Sequence, residues 1–223
     1  LVRVIFIMVQ IQKKKIKKKL SIPLHGNDLI SFDNIEIIAR NYKKKIHIRD
    51  IKKLSDKVKK KIKKDVSLIR KGKKIKGLNF FKFPILMGVI NLTPDSFSDG
   101  GKYNKTAKAE KHISQMIKAG AKIVDVGGES TRPGSKTIPE KTEWKRIKNI
   151  VTKFKKSHKK ICLSIDTRKS SVMINSIKYG ADIINDVSGF NFDKSSLFNL
   201  KKFKIVKVLH HMQGTPNTMQ NKP

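Results

Sequence analysis

The chain has 223 residues, with 52 Lys and Arg against 17 Asp and Glu, a formal net charge of +35. A single cysteine excludes an intrachain disulfide framework and a paired-cysteine zinc site, and 13 Gly with 7 Pro exclude a collagen-like or Gly-rich low-complexity chain. A charge of this size points first to nucleic acid or an anionic surface. The excess, however, is spread along the whole sequence, is mostly Lys, and accompanies abundant Ile and Asn, the pattern of a compositional bias that fills solvated positions with Lys. The basic runs Lys13–Lys19 and Lys57–Lys64 are interleaved with Ile and Val rather than with rings that stack on bases, so a nucleic-acid partner is disfavoured. No run approaches the ~18 apolar residues of a membrane span, so no membrane partner is expected.

In chain order, Leu1–Gln12 is apolar and β-branched through Val2, Val4, Ile5, Ile7, Val9 and Ile11, and reads as a buried or edge strand. A signal peptide would carry its charge before such a run; here the Lys cluster follows it. The first residue is Leu, which leaves the true start open. Ser21–Asp28 reads as a loop and Ile35–Ala39 as a strand. Ile51, Leu54, Val58, Ile62 and Val66 recur every three to four residues, which predicts an amphipathic helix over Asp50–Ile69 with Asp50 as its cap. Nothing in residues 1–82 carries recognisable chemistry. They are expected to form a basic N-terminal extension or a small α/β domain.

From Phe83 short apolar runs alternate with helical ones. Ile85–Ile90 reads as a buried strand. A helix follows over Thr106–Ala119, with Ala109, Ile113, Met116 and Ile117 on one face and Gly120 as its stop. Lys122–Val126 is the next strand. Pro139 suits the first turn of a helix that aligns Trp144, Ile147, Ile150, Val151 and Phe154. Ile161–Ile165 is a third strand, followed by a helix through Val172, Met173 and Ile177 to Gly180. Asp182–Val187 is a fourth strand, residues 194–201 a short helix, and Ile205–Leu209 a fifth strand. Strands alternating with helices imply right-handed βαβ units and a parallel sheet. Polar residues recur where strands end: Asn91, Asp125, Asp166, Asn185 with Asp186, and His210. In a parallel barrel those ends form one rim and hold the active site. No Gly-rich phosphate fingerprint follows the first strand, which disfavours a dinucleotide fold.

Asn91-Leu-Thr-Pro-Asp-Ser-Phe-Ser-Asp-Gly-Gly101 is a polar loop whose Asp and Asn oxygens suit Mg²⁺; alternatively it is an Asx/Pro turn and a helix cap. Gly127-Gly-Glu-Ser-Thr-Arg-Pro-Gly134 lets the backbone approach a ligand and offers hydroxyls with an Arg fork, or is simply a flexible βα loop. Both loops are expected to be mobile without ligand. Asp166, in Ser164-Ile-Asp-Thr167, and Asn185, in Ile184-Asn-Asp-Val-Ser-Gly189, could together read the edge of an amino-pyrimidinone. Equally, Asp166 or Asp186 could cap the next helix. His210 and His211 are adjacent and so diverge, a weak metal signal. Cys162, inside an apolar strand, reads as a buried thiol.

These motifs, with His211-Met-Gln-Gly-Thr-Pro-Asn-Thr-Met-Gln220, stand in the order of one family. The stretch from Pro84 to about Gln220 resembles the dihydropteroate synthases, pterin-binding TIM barrels. The resemblance implies an α/β chain carrying the first five or so βα units of a (β/α)₈ barrel over residues 83–223. It implies a transferase of folate synthesis that condenses a dihydropterin hydroxymethyl pyrophosphate with p-aminobenzoate, giving dihydropteroate and pyrophosphate. It implies that Asn91 and Asp99 bind Mg²⁺ with the pyrophosphate, that Asp99 and Arg132 serve the reaction, that Thr131, Asp166 and Asn185 hold the pterin pyrophosphate, and that Phe97 and Pro133 line the p-aminobenzoate pocket. The partners implied are these small molecules, with a homodimer of the complete protein left open; the lone Cys fits the cytoplasm. A complete barrel needs ~250 residues and eight strands. The family's later pterin-binding Asp, its Lys-bearing seventh loop and its last anion-binding Arg have no counterpart here. An incomplete and inactive chain is therefore expected. The rival readings are a methyltetrahydrofolate-dependent methyltransferase-like domain, a basic nucleic-acid-binding protein and an inactive fragment.

Overall fold

The alternation of apolar strands and amphipathic helices after Phe83 builds one parallel sheet with helices against one face. The computed structural model describes residues 6–9, 21–24, 27–39, 41–72, 75–76, 78, 85–93, 102–130 and 135–210. The chain divides into two units, Leu1–Lys74 with Asn79–Phe83, and Ile75–Leu78 with Pro84–Pro223.

In the first unit, strands β1 (Phe6–Val9), β4 (Asn34–Ala39) and β5 (Tyr42–His47) form an antiparallel sheet in the order β1-β4-β5. Strands β2 (Ile22–Leu24) and β3 (Asn27–Phe32) pair as a separate ribbon. The loop expected at Ser21–Asp28 is thus largely strand. The helix expected from Asp50 is also corrected. A 3₁₀ helix spans Ile48–Lys53, and α1 (Asp56–Arg70) starts afresh after Ser55. Asp50 lies inside the 3₁₀ helix and caps nothing. The apolar spacing runs unbroken across the join because both helices face one core. Ile51, Leu54, Val58 and Val66 all pack on buried Phe32, Ile35, Ile37, Ile46 and Ile62.

In the second unit β6 (Met87–Asn91), β7 (Ile123–Gly127), β8 (Cys162–Asp166), β9 (Ile183–Asp186) and β10 (Val206–Leu209) form a parallel sheet in sequential order. Between them run α2 (Lys102–Lys118), α3 (Glu140–Ser157), α4 (Ser170–Lys178) and α5 (Ser196–Leu200). All five strands end within a residue of expectation, β6 to β8 running one residue further. Pro139 is the N-cap of α3, just before its first turn; its carbonyl accepts from Thr142 N and Glu143 N.

Alternation within each strand splits the sheet into two faces. Ile90, Val124, Val126, Leu163, Ile165 and Ile184 point to the helices and join Ile113, Ile147, Val151, Phe154 and Met173 in one core. The other face carries Asn91, Asp125, Ser164, Asp166 and Asn185. At the opposite end of the strands Asp182 accepts from Leu163 N at 2.9 Å, from Lys76 Nζ at 2.8 Å and from Lys155 Nζ. That carboxylate ties the start of β9 to β8 and α3. Burial would raise it, but the two lysines hold it below the ordinary carboxylate range. Cys162 is fully buried beside it, with its thiol pushed up first by burial.

Candidate active site

The register of the parallel sheet puts Asn91, Gly127, Asp166 and Asn185 in one row across the carboxyl ends of β6, β7, β8 and β9. Register partners in adjacent strands share a face, so the three polar side chains stand side by side. Gly127 is what lets them meet. A Cβ there would lie 2.8 Å from Asn91 Oδ1 and 3.5 Å from Asp166 Oδ2. The absent side chain leaves a cradle between an amide oxygen and a carboxylate oxygen.

Asp125 lies two residues before Gly127, on the same face and beneath the row, and is 4% exposed. Its Oδ2 accepts from Asn185 Nδ2 at 3.2 Å. That bond fixes the Asn185 amide with its nitrogen turned towards Asp125. Asp125 Oδ1 and the neighbouring Ser164 Oγ are buried without a hydrogen bond of standard geometry. Burial therefore raises the Asp125 carboxyl, with Ser164 and Asn185 opposing it. Asp166 has no hydrogen-bond or ion-pair partner among the described residues. Burial, then the negative fields of Asp125, Glu143 and Asp186, push its carboxyl up to about 7, against the pull of Arg168. A buried carboxyl with no partner among the described residues is a group that can accept donors from a ligand.

The capping alternatives resolve differently for the two aspartates. Lys169 stands at the N-cap of α4, and its N–H donates to Thr167 Oγ1 at 3.2 Å, so Asp166 does not cap. Asp186 points to the helix face, where Oδ1 accepts from Ser188 N and Ser188 Oγ. It shapes a turn.

Behind the row is a buried ion network that spacing alone did not indicate. Glu129 Oε2 accepts from Arg168 NH2 at 2.9 Å and Oε1 from Ile138 N at 2.9 Å. Lys169 Nζ lies 2.9 Å from Glu129 Oε1 and 2.5 Å from Glu143 Oε2. All four side chains are less than a tenth exposed. Burial would raise Glu129, but Ile138 N, Lys169 and Arg168 outweigh it and hold the carboxyl below the ordinary range. Arg168 also lies over the Phe192 ring at 4.1 Å. The network joins the segment after β7 to the segment after β8. Its signals were a Glu in the Gly-Gly-Glu loop and a basic pair after Thr167, both readable as surface charge.

Of the expected site residues, Asn91, Asp166 and Asn185 are brought together. Phe97, Asp99, Thr131, Arg132 and Pro133 lie outside the described residues, as do His211 and most of the two loops whose mobility was expected. Of the two residues expected to hold Mg²⁺, the described residues include Asn91, whose amide oxygen above Gly127 is a hard oxygen of the kind the ion takes. No group of three or more His, Cys, Asp or Glu among the described residues could hold a metal. No helix among them is long and apolar enough to cross a membrane.

Comparison with known proteins places these strands. The pterin binding enzyme family matches residues 87–223. Dihydropteroate synthase of Escherichia coli is 43% identical over 140 residues, covering 63% of this chain and 49% of that protein. The Synechocystis dihydropteroate synthase is 40% identical over 136 residues, 61% of this chain and 47% of its own. Among solved structures, Yersinia pestis dihydropteroate synthase in complex with a sulfonamide drug superposes with a TM-score of 0.60 at 38% identity, over 67% of this chain and 54% of that one. The Clostridium difficile enzyme in the presence of pteroic acid gives 0.58 at 38% identity, over 61% and 51%. The chain spans about half the length of the curated relatives it matches.

Proposed function

The chain belongs to the pterin binding enzyme family, and from that premise we propose that it carries the pterin-reading strands of a dihydropteroate synthase. The observation that supports this most is the row Asn91–Gly127–Asp166–Asn185 with Asp125 beneath it. A pterin presents a ring N–H beside an exocyclic amino group. A carboxylate accepts both, and among the described residues no group engages either oxygen of Asp166. Asn185, with its nitrogen held by Asp125, keeps its amide oxygen for a further ring donor.

In the proposed reaction the C–O bond between the pterin methylene and pyrophosphate breaks. The aniline nitrogen of p-aminobenzoate forms a C–N bond to the same carbon, then loses a proton to solvent. No covalent nucleophile on the protein is needed; the residues position and polarise. Thr131 and Arg132 would meet the pyrophosphate, and Phe97 and Pro133 the p-aminobenzoate ring. Asn91 with Asp99 would hold Mg²⁺, which when bound neutralises charge on the leaving pyrophosphate. One buried cysteine and no disulfide suit a reducing compartment, and the reading places the enzyme in the cytoplasm.

The test is calorimetric titration of the dihydropterin pyrophosphate into the chain, with a product assay for dihydropteroate in the presence of p-aminobenzoate and Mg²⁺. Asp166→Ala and Asn185→Ala should each weaken pterin binding by about tenfold or more, the loss expected for a buried charge-assisted hydrogen bond. Pterin binding untouched by both substitutions would overturn the assignment.

A further inference from the structure

The first unit holds a groove of about 530 Å³ between the 3₁₀ helix and α1, and nothing in the proposed reaction uses it. Its floor is aliphatic: Ile22, Ile48, Ile51 and Val66. Its rim is cationic, with Arg49 and Lys52 on the 3₁₀ helix, and Lys59, Lys63 and Arg70 on α1. Positions 59, 63 and 70 are spaced by four and seven residues, so they form one stripe along the helix. Among the described residues no carboxylate lines the groove. The carboxylates of these two helices are engaged beside it: Asp50 with Lys53, Asp56 with Lys59, Asp65 with Lys61. Lys52, Lys63 and Arg70 have no ion pair among the described residues, and Arg49 Nε donates to His47 Nδ1 at 3.1 Å. Lys52, Lys63 and Arg70 thus converge, without counter-charge among the described residues, beside the aliphatic surface of the groove.

We infer that this groove binds a small amphipathic anion, a phosphate monoester or carboxylate carrying a hydrocarbon chain. The acidic head would sit among Lys52, Lys63 and Arg70, relieving their mutual repulsion. The chain would cover the four aliphatic residues. The volume is that of a ligand site rather than a surface dimple. Inorganic phosphate satisfies the rim but leaves the floor in water. A nucleic acid satisfies the rim, but among the described residues no aromatic side chain lines the groove to stack on a base. The inference is independent of the pterin reading, because it concerns the other unit.

The test uses the full 223-residue chain and dodecyl phosphate below its micelle concentration, followed by calorimetry. Dodecyl phosphate should bind at one site per chain, about tenfold or more tighter than inorganic phosphate or dodecyl maltoside. Lys63→Glu with Arg70→Glu, both exposed, should weaken it by about tenfold, the sum of two modest charge interactions. Lys44→Glu with Lys64→Glu makes the same change in net charge away from the groove and should leave binding unchanged; far-UV circular dichroism checks that both variants fold. Equal loss in the two variants would overturn the proposal in favour of unspecific attraction to a polycation. Inorganic phosphate binding as tightly as dodecyl phosphate would also overturn it. So would a short oligonucleotide or phosphatidylglycerol vesicles binding where dodecyl phosphate does not.

Discussion

Asp166 is a carboxyl whose burial comes at the expense of the fold. Its carboxyl is raised to about 7 by burial and by three neighbouring carboxyls, whereas an unfolded aspartate titrates near 3.8. Between those values the folded state keeps a proton that the unfolded state has lost. Stability therefore falls as pH rises through this window, by about 1.4 kcal/mol for each unit. Asp125, also raised, acts in the same direction. Asp166→Asn removes the charge and keeps the shape. It should raise the midpoint of thermal unfolding at pH 8, by a few kcal/mol of stability, with the gain fading towards pH 4. The same variant should lose pterin affinity by at least about tenfold. A substitution that stabilises the fold and abolishes binding is the signature of a functional residue. In the unmodified chain, donors of the pterin need the ionised carboxyl, so affinity should fall about tenfold per unit below pH ~7. Titrations from pH 5.5 to 8.5 check this; a flat profile would show that another group accepts those donors. The placement of Asp166 and Asn185 side by side at one rim was legible because polar side chains closing apolar strands are conspicuous. The restraint of Asn185 by Asp125 was not, because it joins residues 60 positions apart on strands that are not neighbours.

At the scale of elements, two consecutive glycines after β7 have opposite expected effects. A Cβ on Gly127 meets only the tip of the Asn91 side chain, which can turn away. A Cβ on Gly128 lies 2.9 Å from the backbone carbonyl of Glu143 and from Ile147 Cγ2, so α3 itself must move. Gly128→Ala should destabilise the chain by about 1–3 kcal/mol. Gly127→Ala should cost much less stability yet displace Asn91, lowering the Mg²⁺ dependence of dihydropterin pyrophosphate binding. Denaturant melts beside the assay separate the two; equal melts would refute the distinction. The ion network makes the same join from the other side. Glu129→Ala leaves Arg168 buried without its carboxylate partner and deprives Lys169 of one of two, and should cost about 3–5 kcal/mol in the same melts. The βα units were legible because each strand is a short apolar run bounded by turn residues. The first unit was less so. Pro23 and Gly26 made Ser21–Asp28 read as a loop, and β5 carries Lys43, Lys44 and Lys45 in succession, which hides any alternation. That strand is an edge, where Lys is tolerated, and its register with β4 rather than its own pattern makes it a strand.

For the molecule as a whole the charge that began as a puzzle becomes a statement about stability. Carboxylates are scarce, and those on the surface of α1 and the 3₁₀ helix are already paired with Lys, so most of the +35 is uncompensated. Such a chain repels itself when folded, since the compact state holds the same charges closer than the unfolded one. Salt screens exposed charges beyond a Debye length of about 10 Å at 0.1 M and about 3 Å at 1 M. It hardly reaches the Glu129–Arg168–Lys169–Glu143 network, whose members are nearly all out of water. The attractive pairs are thus protected and the repulsive surface is not. Raising NaCl from 20 mM to 500 mM should therefore raise the unfolding midpoint, and sulfate should do so more than chloride because it is also excluded from the surface. The groove variant Lys63→Glu with Arg70→Glu should share part of this gain at low salt and show a shallower salt dependence. Differential scanning calorimetry across that range checks the sign. A midpoint that falls as salt rises would mean that exposed ion pairs outweigh the repulsion, contrary to the ratio of 52 cationic to 17 acidic residues.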